Sequence, residues 1–457
     1  MVCRQDGEAG QKLWDYKIRG KGKSGLQFCI KRDKDQPLMT GFEHIQNTGR
    51  DAVLVVGGGV AGITASLDLA DAGQSVHLVE NDSHLGGQVS KLDKLYPTDH
   101  CAFCPLWTDV KKCMDHPLIT VHTLSHIKEL KQENGSYSAF ILKHPHYIDD
   151  KKCIFCGRCV EECPDNAIHS GWEHLYPPTF VIDEALCTQC GNCTKVCPSG
   201  AINMELKEEE INLLVRDVIW ATGFKEADLS HLKEYGSGTH PDIMTSMEFE
   251  EWTAEAGTNR GNIIKRSDGA VPANIAFIQC AGARDLRMIP SCSAVCCMHA
   301  FKQAEWVKRR NQRIDCYIFY TDLRTVGRDY YRYSLKNFEG ADVKLVRGRP
   351  GLIHPMPGGN GIAVQFENTI TQKREIRKFD IVILNGNIQP SLIQLCPAQS
   401  EKKVAPQIDK EGFVIEESGE TSAFACGFGL EPADVAESVI QASAAAMRVM
   451  NKESDQR

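Results

Sequence analysis

An α/β protein with two βαβ units of the dinucleotide-binding type and a small, cysteine-rich α+β insert is predicted by three features of the 457-residue sequence. From residue 51 an apolar strand, a glycine turn and an Ala/Leu-rich helix follow one another, and a second apolar strand covers 75–80. The same order recurs from residue 273, with a strand over 275–279, a helix over 294–310 and a strand over 315–321. Between them, eight of the 20 cysteines lie from Cys153 to Cys197. That segment interrupts the first unit, which resumes with the apolar run 212–221. The tail 432–450 reads as an alanine-rich helix with Pro432 in its first turn.

Length and charge set the outer bounds. The chain is too long for one ordinary domain. Its formal net charge of −8 and pI near 6.0 give no sequence-wide basic face, so nucleic acid and anionic membranes lack electrostatic support as partners. No apolar run approaches the ~20 residues that cross a bilayer, and Asp6, Glu8, Lys12, Asp15, Lys17 and Arg19 leave no apolar core for a secretion signal. A cytoplasmic location is expected. Thiols in that compartment stay reduced, so 20 cysteines point to metal or redox chemistry.

The first unit carries a dinucleotide signature. Gly57-Gly58-Gly59-Val60-Ala61-Gly62 joins strand to helix as G-x-G-x-x-G. Gly57 serves the tight turn, Gly59 the approach of a pyrophosphate, and Gly62 the packing of helix on strand. Glu80, at the end of the second strand, is placed to hold ribose hydroxyls. The signature alone fits NAD or FAD. Two further segments favour FAD: Val218–Gly223, with Ala221-Thr222-Gly223, resembles the Ala-Thr-Gly stretch of thioredoxin-reductase-type flavoproteins, and Ser422–Gly427, ending in Gly427, resembles their closing FAD segment. The final helix could then aim its positive end at the flavin.

The insert has two matching runs, Cys153-x2-Cys156-x2-Cys159-x3-Cys163-Pro164 and Cys187-x2-Cys190-x2-Cys193-x3-Cys197-Pro198. This is the spacing of bacterial two-cluster ferredoxins, in which the fourth cysteine of each run ligates the other cluster. Cys153, Cys156, Cys159 and Cys197 are assigned to one [4Fe-4S] cluster, and Cys187, Cys190, Cys193 and Cys163 to the second. Zinc sites more often show separated C-x2-C pairs.

The second unit lacks a glycine signature. Its turn reads Cys280-Ala281-Gly282-Ala283-Arg284-Asp285, followed by Cys292-x3-Cys296-Cys297 at the helix start. Four thiols where a pyrophosphate would lie suggest a metal site and disfavour NAD(P)H.

From residue 52 to 449 the chain resembles the A-type iron-sulfur flavoproteins of heterodisulfide reductase and their bacterial relatives. The resemblance rests on Gly86-Gly87-Gln88, Leu92-Asp93-Lys94, the inserted ferredoxin, Ser267-Asp268-Gly269, Ile278-Gln279-Cys280, Cys296-Cys297-Met298, Arg347-Gly348-Arg349-Pro350 and Gln441–Ala446. It implies that Cys280, Cys292, Cys296 and Cys297 hold a third [4Fe-4S] cluster near FAD, and that Lys302 lies near the flavin ring. It also implies an oxidoreductase subunit relaying electrons between FAD and clusters, with thiol-reducing, quinone-linked or ferredoxin/NAD-linked partner subunits, a homodimer within the complex, and in some members bifurcation of electron pairs. A stand-alone NAD(P)H-linked reductase is the alternative. No second ferredoxin run follows, so a compact bacterial-type variant is expected. The expected divisions are an N-terminal extension (1–50), FAD-binding parts (51–147, 206–270 and 387–457), the ferredoxin insert (148–205) and a degenerate nucleotide-binding domain (271–386). Cys101, Cys104 and Cys113 leave a redox disulfide and a structural or partner-facing role both open. Cys3, Cys29, Cys316, Cys396 and Cys426 default to buried thiols.

Overall fold

The computed structural model describes residues 51–454 except 134, 171–179, 256, 258, 326–328, 335–341, 360, 393–405 and 417–423. The expected N-terminal extension, Cys3, Cys29, Cys396 and the Ser422-Ala423 start of the closing FAD segment lie outside the described residues. Along the chain come β1 (Val53–Val56), α1 (Val60–Asp71), β2 (Val76–Val79), β3 (Lys94–Leu95), β4 (His100–Cys101), α2 (Phe103–Asp115), β5 (Ile119–His122), β6 (Ser125–Glu133) and β7 (Ser136–Lys143). The insert contributes α3 (Arg158–Glu161), β8 (Ile168–Ser170), β9 (Phe180–Ile182) and α4 (Asn192–Val196). The chain returns as β10 (Glu209–Val215), β11 (Asp217–Trp220) and β12 (Phe224–Glu226). Next are β13 (Ile243–Thr245), α5 (Ser246–Thr253), β14 (Asn274–Ile278), α6 (Cys296–Arg310), β15 (Asp315–Tyr320), β16 (Lys344–Arg347), β17 (Pro350–Pro355), β18 (Ile362–Asn368), β19 (Lys373–Phe379) and β20 (Ile381–Leu384). It closes with β21 (Ile388–Pro390), β22 (Phe424–Ala425) and α7 (Val435–Ser454).

Two parallel sheets follow from the two βαβ patterns. The first has the order β22-β11-β1-β2-β5, the second β13-β20-β14-β15-β16. Strand alternation sorts their side chains into layers. Val53, Val55 and Ile219 face α1, α2 and α7, whereas Leu54, Val218 and Trp220 meet Leu130, Ile141 and Leu213 of the antiparallel β10-β7-β6 sheet. The second unit repeats the plan: Ile275 and Phe277 pack on Met298 and Phe301 of α6, while Ala276 and Ile278 pack on Val364, Phe366 and Phe379.

Several element ends differ from the sequence reading. The last helix starts at Val435, not Pro432, because Asp434 and Glu437 exchange backbone-to-carboxylate bonds of 2.9 Å each and cap it there. Strand β2 stops at Val79, which leaves Glu80 just beyond it. The three-residue β13, too short to read as a strand, lies within 206–270 yet pairs with β20 of the second sheet. Likewise β21 pairs back with β12. Among the described residues no helix is long and apolar enough to cross a membrane.

The β1–α1 turn depends on glycine. Gly57 has φ +107°, and a Cβ there would stand 2.3 Å from the Ala221 carbonyl oxygen; one on Gly62 would stand 1.8 Å from the Gly57 oxygen. Gly62→Ala must therefore push the turn off β11. A loss of about 1–3 kcal/mol, read as a lower urea midpoint, is expected, and an unchanged midpoint would contradict this packing.

Candidate functional site

A cavity of about 1030 Å³ lies where β1, β2 and β11 end, at Val56, Val79 and Trp220. This is the side of a parallel sheet at which ligands bind. The structure brings Gly57, Gly59, Glu80, Gly86, Gly87, Thr222, Gly223 and Gly427 together on its wall. Gly62 is not among the lining residues and acts one layer down, against Gly57. The Glu80 carboxyl accepts the Gly58 N–H at 2.5 Å and the Asp82 N–H at 2.8 Å. Burial nevertheless outweighs these bonds and pushes it up to about 7. Thr222 Oγ1 is buried without a hydrogen-bond partner among the described residues. An orphaned hydroxyl in a glycine-floored cleft fits a bound dinucleotide better than an empty fold. The start of α7 also lines the cavity through Val435 and Ser438. Asp434 stands at that end and offsets part of the positive dipole on which the sequence reading relied.

The insert is built by pseudo-symmetry. Its second run repeats the first at an offset of 34 (187 − 153), and left-handed backbone recurs at that offset: Phe155 and Gln189, Gly157 and Gly191, Asn166 and Gly200. The pairing crosses between halves. Ile148 bridges Ile202, Ile168 pairs with Ile182, the Asp149 N–H donates to Ala201 O, and the Asp183 N–H donates to Ala167 O, the last two at 2.8 Å. This crossing carries each fourth cysteine to the opposite half. Cys153, Cys156, Cys159 and Cys197 line one small void together. The Cys163 and Cys197 sulfurs each accept a backbone N–H at 3.3 Å, from Ala167 and Ala201. Among the described residues no three His, Cys, Asp or Glu side chains converge on a single-ion site.

In the second unit Cys280 follows β14 at φ +57°, and Cys296 and Cys297 are the first two residues of α6. All three are buried and Cys292 half-buried. Burial and then the neighbouring Cys296 push the Cys280 thiol up to about 11. The bond between the Cys296 and Cys297 thiols raises the first and lowers the second. Cys292 acts on both Cys280 and Cys297, so the four thiols form one group. Ala294 at φ +60° makes the approach to α6 irregular. Arg284 touches Cys280, and Arg349 donates to Cys280 O at 2.8 Å. Such a donor set suits a cluster. Cys296 also lines the large cavity.

Lys302 lines that cavity too, nearly two turns further along α6. Its Nζ lies 2.5 Å from Glu250 Oε1 and donates to Lys94 O at 2.9 Å. Burial would raise the Glu250 carboxyl, but Lys302 and His299 hold it below the usual carboxylate range. Glu250 and His299 escaped sequence reading. The one available signal was the spacing of His299, Lys302 and Gln303 at i, i+3 and i+4 along α6. Elsewhere Cys101 and Cys104 bring their thiols into contact near the surface, and Cys113 sits in the first core. Cys316 and Cys426 are buried.

Residues 52–134 match the FAD dependent oxidoreductase family, and residues 152–201 the 4Fe-4S dicluster domain. The chain therefore combines FAD with [4Fe-4S] clusters. Methanopyrus kandleri has two CoB–CoM heterodisulfide reductase iron-sulfur proteins of the A type; the one numbered 2 is 35% identical over 440 residues, covering 90% of this chain and 66% of that one. Against the A-type CoB–CoM heterodisulfide reductase iron-sulfur protein of Methanocaldococcus jannaschii, identity is 32% over 420 residues, covering 87% and 63%. The A-type component of the H(2)/formate:CoB-CoM heterodisulfide,ferredoxin reductase of Methanococcus maripaludis is 35% identical over 350 residues, covering 74% and 53%. The chain thus spans less than two thirds of these curated relatives. Among solved structures, T. acidophilum thioredoxin reductase matches with a TM-score of 0.50 at 12% identity, covering 89% of this chain and 99% of that one. The fold is accordingly thioredoxin-reductase-like with an inserted dicluster domain.

Gly59 offers a test that spares folding. Its φ of −76° suits any residue, and an added Cβ would meet nothing nearer than Gly87 Cα at 3.9 Å. A larger side chain there would project into the cavity. Gly59→Leu should lose FAD while keeping ferredoxin-type EPR signals, and stoichiometric flavin in the variant would contradict the placement.

Proposed function

Because the chain belongs to the family of A-type heterodisulfide reductase iron-sulfur flavoproteins, we propose that it is the electron-relaying subunit of a larger oxidoreductase complex. FAD, when bound, exchanges an electron pair for single electrons, which the clusters carry. The observation that carries this reading is the shared wall. Cys296 belongs both to the four-thiol group and to the lining of the flavin cavity, so electrons have a short way out of it.

In this reading Gly57, Gly59 and Glu80 hold the ADP half of FAD, with Gly86, Gly87, Thr222, Gly223 and Gly427 around the rest. Lys302, held at the wall by Glu250, places its ammonium beside the ring. Cys280, Cys292, Cys296 and Cys297 hold the third cluster, and the insert cysteines hold two more as assigned above. Bifurcation belongs to the same reading: a cavity walled by one thiol group, in a chain carrying two further clusters, offers two one-electron branches. The partners are redox subunits of heterodisulfide-reductase-like complexes, thiol-reducing, quinone-linked or ferredoxin/NAD-linked, with a homodimer of this chain at the centre and a cytoplasmic setting.

Two measurements separate this from neighbouring readings. Three clusters require about twelve irons per chain, and changing Cys292 and Cys297 together to Ala should lower that to about eight while leaving the ferredoxin signals. Unchanged iron would show that the third cluster does not exist. The stand-alone NAD(P)H reductase has the turn after β14 against it, where Cys280–Asp285 replaces the glycines a pyrophosphate needs. Under anaerobic mixing, NADH and NADPH should leave the flavin of the isolated chain oxidised and dithionite should reduce it; fast bleaching by either nucleotide would restore that alternative.

A further inference from the structure

A second, smaller cavity lies behind the Lys302 wall. It is lined by Asp93, Asp99, Glu250, Glu305, Trp306 and Arg309, and it shares Lys94 and Lys302 with the flavin cavity. Two voids separated by one charged side chain form a natural relay.

Hydrogen bonds tie together the groups at each end of this void. Glu250 Oε1 receives both the Lys302 ammonium, at 2.5 Å, and the Asp93 N–H, at 3.1 Å. Asp93 Oδ2 is buried without a hydrogen-bond partner among the described residues. At the far end Arg309 pairs with Glu305 and, at 2.7 Å, with Asp99, which also accepts the Tyr333 hydroxyl at 2.7 Å. The Arg309 side chain is 47% exposed, so this end of the void meets water. Lys302 has three N–H donors. Glu250 and Lys94 O take two, which leaves one for the flavin cavity.

We propose that the second cavity is the proton inlet of the flavin site, with Asp93 as the carrier between the Arg309 mouth and the Glu250–Lys302 pair. The inference rests on FAD occupying the large cavity. Reduction of a flavin by two electrons consumes protons. A proton leaving Lys302 Nζ towards the cavity is replaced from the Asp93 carboxyl across the void that both side chains line, and Asp93 regains one from water at the mouth. One proton enters for each delivered, and the buried charge is unchanged. A carrier must hold a proton near neutral pH. Burial, Glu250 and Glu255 push Asp93 above the usual aspartate range, against the opposing pull of Lys94 and Lys302.

The test uses the full chain in two states. In the flavin-free chain, the infrared difference spectrum between the unmodified chain and Asp93→Asn at pH 6 should contain the carbonyl band of a protonated carboxyl, distinct from the Glu80 band that both share. In the FAD-loaded chain, proton uptake after photoreduction, followed with a pH-indicator dye, should be at least about tenfold slower in Asp93→Asn and recover when a small weak acid such as formate buffer is added. In the unmodified chain the same uptake should slow as pH rises through the titration of the infrared band, a result that needs no variant. Uptake independent of pH, or Asp93→Asn keeping full FAD and the wild-type rate, would overturn the inlet. A chain that binds no FAD would instead overturn the flavin assignment, while the infrared band would still report on Asp93.

Discussion

The ion pair between Lys302 and Glu250 is the constraint on which the site depends. Both side chains are almost fully buried, at 5% and 1% exposure, and losing either partner of such a pair costs about 3–5 kcal/mol because the other charge is stranded. Through it α6 is tied to α5, and through Lys94 O to the β3–β4 hairpin. Gln303, one residue on, donates to Ser246 O and to Glu250, both from its Nε2, so the whole first half of α6 is fixed. That sets where α6 begins. Its first residue, Cys296, is thereby held against the cavity.

A different economy operates around the glycine turn and the insert. There the decisive interactions are backbone ones: Gly57 against Ala221, Gly62 against Gly57, and the crossed ladders that exchange halves of the insert. Side chains enter mainly as ligands. The chain thus holds its flavin cavity by steric exclusion at one end and by buried charge at the other. The thiol group of the second unit sits where a nucleotide-binding domain would keep its glycine loop, which converts a ligand cleft into a wall.

These two kinds of constraint explain what the sequence could disclose. G-x-G-x-x-G and the doubled cysteine runs impose chemistry at fixed short spacing, so the floor of the cavity and the candidate ligands of the insert were readable without coordinates. Cys280 and Cys292 to Cys297 were readable for the same reason, although their grouping needed the fold. Glu250 was not, since its segment carries no local pattern; Asp93 showed only as part of Leu92-Asp93-Lys94 and His299 only through its helical spacing, and three separated segments gave no sign that these residues meet. The helix start at Val435 was misplaced because Pro432 is the stronger local signal, while the Asp434–Glu437 box that fixes the end is an ordinary acidic pair in sequence. β13 was hidden by its length: three residues show no period, and only pairing with β20 makes them a strand.

The central claim is that one thiol group and the flavin share a wall at the start of α6. Anomalous diffraction at the iron edge, from crystals of the chain grown without oxygen, tests it most directly. The expected map has a strong peak enclosed by Cys280, Cys292, Cys296 and Cys297, bordering flavin density, with two more in the insert. Flavin density with iron in the insert alone, and nothing at Cys296, would contradict it.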